Sequence, residues 1–242
     1  MEMHSIKRKL KLLVPRIYKL LSVAEHRRNS DKKKFKTAYP NTKIFDSIKR
    51  GDQKLHSLPN QDYIIKETFF KEKKSGFYCD IGGNHPVRLN NTKYFEELGW
   101  SGIAFEPLPH LVKLWKKHRK AKFFPFALSD REGSTSFIVD QYGDGETSHI
   151  KATSLDLNIT DEIEIKVKTR IFQNVINEEK YTHINYISLD VEGHEMNTLK
   201  GIDFKKTKID VLTVENISGY RRRGDDNIRN FMLENDYIFW GG

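Results

Sequence analysis

Phe77-Tyr78-Cys79-Asp80-Ile81-Gly82-Gly83-Asn84-His85-Pro86 is the stretch that decides the fold. Its first five residues have the composition of a strand buried on both faces, and the two glycines that follow allow a tight turn. A helical pattern comes next over residues 91–98, with Tyr94, Phe95 and Leu98 on one face. The alternation then repeats outward, as strand 102–105, helix 108–118 and strand 123–128. Farther along come strand 184–189, helix 195–200, strand 211–214 and a helix over 226–234. Strands alternating with helices form right-handed crossovers and an open, mainly parallel sheet, so the fold class is α/β. Residues 134–139 and 163–168 alternate apolar with polar, which predicts two half-exposed antiparallel strands.

Composition narrows the class further. The 242 residues and 28.4 kDa suit one α/β domain with an appendage. Fifteen Phe, ten Tyr and three Trp are enough for a real core. No apolar run approaches the ~18 residues of a spanning helix. The single cysteine, Cys79, excludes an intrachain disulfide and a cysteine-based zinc cage. A reducing, cytoplasmic setting is expected, since the N-terminal region has no continuous apolar core of a secretory signal.

Charge is unevenly placed. Twelve of the 42 Lys and Arg residues but only three acids lie in 1–36, leaving 30 of each sign in the remainder. The formal charge of +9 therefore sits in the N-terminal segment, and the body has no excess with which to hold nucleic acid. Within the segment Ile6, Leu10, Leu13, Val14, Ile17, Leu20, Leu21 and Ala24 recur at helical spacing, interrupted by Pro15. Residues 1–60 are expected to form a basic helical extension and connector. The extension either packs on its own domain, joins a homodimer or lies peripherally on the inner face of an anionic membrane. Residues 61–242 form the main domain.

Ligands of open parallel sheets bind at the carboxyl ends of the strands, near the point where strand order reverses. Here those ends are polar. The first strand ends in Asp80, Gly82, Gly83, Asn84 and His85. The second ends in Glu106-Pro107, 26 residues after Asp80, where an acid can accept hydrogen bonds from both hydroxyls of a ribose. The third ends in Leu128-Ser129-Asp130, placed to meet an adenine edge. A complete dinucleotide fingerprint is missing, because Asn84 and Val87 stand where its second and third glycines would be. The fourth strand ends in Asp190-Val191-Glu192-Gly193-His194-Glu195, and the next in Glu215. Packing has no use for that many ionisable groups at one rim.

These segments together resemble the FkbM-type methyltransferases over roughly residues 60–240. The resemblance rests on the 80–86 stretch, Asn91-Thr92, Glu106-Pro107, 127–130 and 190–195. It implies a Rossmann-like class I methyltransferase fold and S-adenosylmethionine as cofactor. By analogy Gly82, Gly83, Asn84 and His85 lie against the methionine part, and Asp80 and Thr92 are expected among the cofactor-binding residues. Glu106 and Pro107 hold the ribose, and Leu128, Ser129 and Asp130 the adenine. Pro86 departs from the glycine common in the family, and is expected at a helix start, where a missing N–H is tolerated. Such folds usually finish with two adjacent strands, and residues 237–242 are expected to supply only the first.

The resemblance also implies the reaction, methylation of a sugar hydroxyl in polysaccharide biosynthesis, with a glycan or nucleotide-sugar acceptor. Asp190 is the leading general base, His194 the alternative, and Glu192 and Glu215 orient the acceptor. These groups are also hard ligands for Mg²⁺ or Mn²⁺, but direct hydrogen bonding to a polyol is preferred and no metal is expected. Two other classes compete: an RNA-binding methyltransferase using the basic arm, and a binding module without turnover.

Overall fold

The computed structural model describes residues 56–57, 61–140, 148–151, 162–215 and 227–238. The basic arm at 1–36 lies outside the described residues, and with it the membrane and dimer expectations; so do residues 239–242. Among the described residues no helix is long and apolar enough to cross a membrane.

The central sheet has five parallel strands: β1 Phe77–Ile81, β2 Ser101–Phe105, β3 Lys122–Phe124, β8 His183–Leu189 and β9 Lys208–Val214, in the order β3-β2-β1-β8-β9. The chain thus leaves β1 in one direction through β2 and β3, then returns to β8 on the other side. That reversal lies between β1 and β8, where the Asp80 and Asp190 loops emerge side by side. The helices are α1 Gln61–Phe69 ahead of β1, α2 Lys93–Glu97, α3 Leu111–His118, α4 Phe172–Glu178 and α5 Glu195–Lys200 between strands, and α6 Asn227–Glu234 after β9. Alternate residues of β1 enter different cores. Cys79 and Ile81 join Ile187, Leu189 and Leu212 on one face, while Tyr78 packs with Phe95, Trp100 and Tyr186 on the other. The α/β class and the mainly parallel sheet are as expected.

The expected single strand over 123–128 is two strands in different sheets. β3 ends at Phe124, and β4 Ala127–Ser129 pairs in parallel with β7 Glu162–Ile171 in a second, four-stranded sheet. Pro125 has no N–H to give a ladder, so pairing stops there and the chain changes sheets. The order of the second sheet is β4-β7-β5-β6, with β5 Gly133–Asp140 antiparallel to both β7 and β6 His149–Ile150. The antiparallel pair expected at 134–139 and 163–168 is the β5–β7 pair.

Several boundaries shift. The helix expected over 91–98 is only Lys93–Glu97, and Leu98 is exposed. The next helix begins at Leu111 rather than Leu108. Pro86 starts no helix; its buried ring sits in the loop before α2, and its carbonyl accepts from Arg119 Nη1 at 3.0 Å. Helix α1 was not expected because its buried side includes Gln61, Asp62 and Lys66, which hides the apolar period. Two of these have local partners: Lys66 Nζ donates to the Phe70 carbonyl at 2.8 Å, and Ser57 Oγ donates to Asp62 at 2.6 Å. Helix α4 follows β7 with no glycine or proline between them, so nothing in the sequence marks its start.

Candidate active site

A cavity of about 280 Å³ opens at the β1/β8 reversal. This is near the lower end of the range for small-molecule pockets, ~300 Å³. Its floor is the β1 loop and the ends of β2 and β8. Its far wall comes from the second sheet, through Ala127, Leu128, Phe137, Ser148 and Ile150. Of the expected site residues, Asp80, Gly82, Gly83, Asn84, His85, Glu106, Pro107, Leu128, Asp190, Glu192 and His194 all line it. Thr92, Ser129, Asp130 and Glu215 are not on its wall; they stand behind or beside it.

The β1 loop is shaped by packing. Gly82 has φ +78°, and a Cβ there would lie 1.7 Å from the Asp190 carbonyl oxygen. Only glycine lets the two loops touch at this point. At Gly83 a Cβ would lie 2.6 Å from the Trp115 ring, which is fully buried and donates from Nε1 to the Asn84 carbonyl at 2.7 Å. Gly83→Ala is therefore expected to lower stability by about 1–3 kcal/mol through overpacking. The check is the urea midpoint; an unchanged midpoint would show that Trp115 is free to move.

Beneath the loop lies a buried polar network that the sequence did not announce. Asp80 accepts from Thr92 Oγ1 at 2.6 Å and Asn90 Nδ2 at 2.9 Å. Arg119, 6% exposed, donates to Thr92 Oγ1 at 2.8 Å, Asn90 Oδ1 at 2.9 Å and the Tyr78 hydroxyl at 3.0 Å. Its Nε is 3.2 Å from Glu96, its Nη1 is 3.9 Å from Asp80, and its Cζ lies over the Trp115 ring, 4.6 Å from the centroid. Burial raises the Asp80 pKa, against the opposing pull of Arg119. Asp80 and Thr92 thus brace the loop from below. His85 also works within the loop, its Nδ1 accepting from the Val87 and Arg88 amides at 3.1 and 2.8 Å.

Glu106 stands at the end of β2, 4% exposed. One oxygen accepts from the Asn84 amide at 3.0 Å and the other from the Leu108 amide at 2.8 Å. Each oxygen keeps a further acceptor site. Burial pushes its pKa up to about 7, with Asp80 and Asp190 adding to the rise.

At the ends of β8 and β9, Asp190, Glu192 and Glu215 bring carboxylate oxygens within 4.8 Å of one another. Glu192 sits at φ +52°, and the loop is tied down by Glu195 Oε1, which accepts from the Gly193 amide at 2.9 Å. Burial raises the pKa of Asp190, and burial together with the Asp190 charge raises that of Glu215 well above its usual range. Two such carboxyls repel each other strongly when both ionise, so the pair holds its last proton to higher pH than an isolated carboxyl would. With both ionised, the buried Glu215 Oε2 would have no hydrogen-bond partner among the described residues. A proton on Glu215, donated to Asp190, supplies one and leaves Asp190 as the carboxylate.

Residues missed by the sequence reading are Arg119, the loop clamp Glu195 and the second-sheet wall. Arg119 follows a lysine-rich helix as one more basic residue, and only its depth distinguishes it. Phe137 and Ile150 belong to strands remote in sequence from every motif.

The family model described as the methyltransferase FkbM domain matches residues 80–239. No curated protein and no solved structure matches the chain.

Proposed function

The chain belongs to the FkbM methyltransferase family, and from that premise we propose that it uses S-adenosylmethionine to methylate a hydroxyl oxygen of a sugar. The acceptor is a glycan, glycolipid or nucleotide-sugar precursor. The observation that carries the proposal is the imbalance of charge in the cavity. Four of its lining residues, Asp80, Glu106, Asp190 and Glu192, bear carboxyls, and one, the exposed Arg88, bears a cation. Such a site favours a ligand that brings positive charge.

The donor set fits that cofactor. Glu106 has acceptor capacity for a ribose diol at the end of β2, and the buried Asn84 Oδ1 has no protein partner among the described residues. Phe105, Leu108, Phe126 and Phe137 give an apolar wall suited to a base. When bound, S-adenosylmethionine supplies an electrophilic methyl carbon on a sulfonium. The protein's own tasks are to align an acceptor hydroxyl and to take its proton. Asp190 holds the position for the proton, Glu192 on the cavity wall accepts from a neighbouring sugar hydroxyl, and Glu215, off the wall, acts through its hydrogen bond to Asp190.

Calorimetry with S-adenosylmethionine and S-adenosylhomocysteine between pH 5.5 and 8 tests the reading. A cation beside a carboxyl lowers its pKa, so binding releases protons and tightens as pH rises toward the ligand-free value, about 7 for Glu106. The homocysteine form lacks the sulfonium, so its affinity is expected to rise less over the same range. Equal pH dependence of the two ligands, or binding of neither, would refute the charge argument. The folded protein shows the opposite linkage. Glu106 and Glu195, raised from 4.5 to about 7, favour the fold below their unfolded pKa, and that contribution is lost as pH rises through about 7.

A further inference from the structure

The Ser129 hydroxyl stands between two groups, Asp130 Oδ1 at 3.0 Å and His194 Nε2 at 3.0 Å. It comes from the end of β4 in the second sheet, whereas His194 precedes α5 on the loop after β8. The contact therefore ties the two sheets together at the cavity. A hydroxyl has one proton, and an ionised carboxylate can only accept. Desolvation opposes ionisation of Asp130, but the hydrogen bond from Ser129, the charge of Arg131 and the bond from Asn197 together outweigh it and hold its pKa below the usual range. Asp130 thus has no proton to give, and the Ser129 proton points to Asp130. Ser129 Oγ can then meet His194 Nε2 only as an acceptor. The imidazole must carry its proton on Nε2.

Burial pulls the His194 pKa down, with Asp130 and Arg131 acting in opposite senses, so the neutral ring is the form present. The ring lines the cavity, and among the described residues no hydrogen bond reaches Nδ1. We propose that Ser129 and Asp130 are positioning residues that lock His194 in its Nε2–H tautomer, presenting Nδ1 as a hydrogen-bond acceptor for a second hydroxyl of the substrate, beside the one whose proton Asp190 receives. This rests on the hydroxyl-methylation reading for the identity of the substrate, but the tautomer itself does not. It gives Ser129 and Asp130 a task different from the adenine contact expected of them, and one consistent with their place off the cavity wall.

Nitrogen-15 NMR of the full chain with labelled histidine tests the lock, the His194 signals being identified by their loss in His194→Gln. In the wild type Nδ1 is expected to show the shift of an unprotonated nitrogen and Nε2 that of a protonated one. Ser129→Ala should move both toward the average of the two tautomers, and Ser129→Thr, which keeps the hydroxyl, should restore the wild-type pattern. With a sugar acceptor, Ser129→Ala should lose up to about 10²-fold in kcat, the scale of a mispositioned catalytic contact, at unchanged S-adenosylmethionine affinity. An Nδ1–H tautomer in the wild type would overturn the proposal. So would an unaltered pattern in Ser129→Ala, or a large loss of cofactor affinity in that variant. Absence of methyl transfer to any sugar would refute the substrate reading while leaving the NMR result intact.

Discussion

Asp190→Asn is expected to lower methyl transfer by about 10²–10⁴-fold, the usual contribution of a positioned general base. The substitution preserves shape. The Asp190 amide donates to the Ile81 carbonyl at 3.0 Å, and its own carbonyl packs on Gly82, so the backbone is fixed independently of the side chain. What is removed is the carboxylate that receives the acceptor's proton. Burial moves the Asp190 pKa upward, so wild-type turnover should fall on acidification at a pH above the ordinary aspartate value of 3.8. Transfer of a radiolabelled methyl group to a panel of sugars, with cofactor binding measured alongside, is the check. Near-wild-type turnover with binding retained would take Asp190 out of the role and leave it to His194.

Arg119→Met should cost about 3–5 kcal/mol of stability, the scale of breaking a buried ion pair. Methionine fills part of the space between Trp115 and Tyr78 but leaves Asp80 without its cation and Glu96 with Lys93 alone. The hydrogen bonds to Asn90 Oδ1, Thr92 Oγ1 and the Pro86 carbonyl disappear together, and these hold the loop that floors the cavity. Cofactor affinity should therefore fall along with the urea midpoint. A loss of less than about 1 kcal/mol would mean that the network carries little of the fold. Arg119→Lys should recover only part of the stability, since one ammonium cannot match the planar fork that spans these partners.

Much of the site was legible because its residues are adjacent to strand ends. Gly82-Gly83, Glu106 and the run from Asp190 to Glu195 are each local punctuation after an apolar run, and a parallel sheet necessarily brings strand ends to one edge. Less legible were residues whose importance is depth. Arg119 looks like the fourth cation of a basic stretch, yet it is the buried hub of the loop. Asp80 and Thr92 were expected beside a ligand, and Thr92 is fully enclosed against Asp80 and Arg119 instead. Ser129 and Asp130 read as a strand end like the others, but their strand belongs to another sheet.

Sequence alone determined the α/β class, the alternation of strands and helices that builds the central sheet, and the acidic character of the rim, but not α1, α4 or the break between β3 and β4. Those follow from periodicity and composition, which are short-range properties. Tertiary structure decided which sheet each strand joined, because pairing depends on partners such as Thr169 and Arg170, about 40 residues from the β4 residues they face. It also decided the protonation chemistry. The charge carried by Glu106, Asp190 and Glu215, and the nitrogen of His194 that holds the proton, are set by burial and by neighbours from other strands, and neither is written in any single stretch of chain.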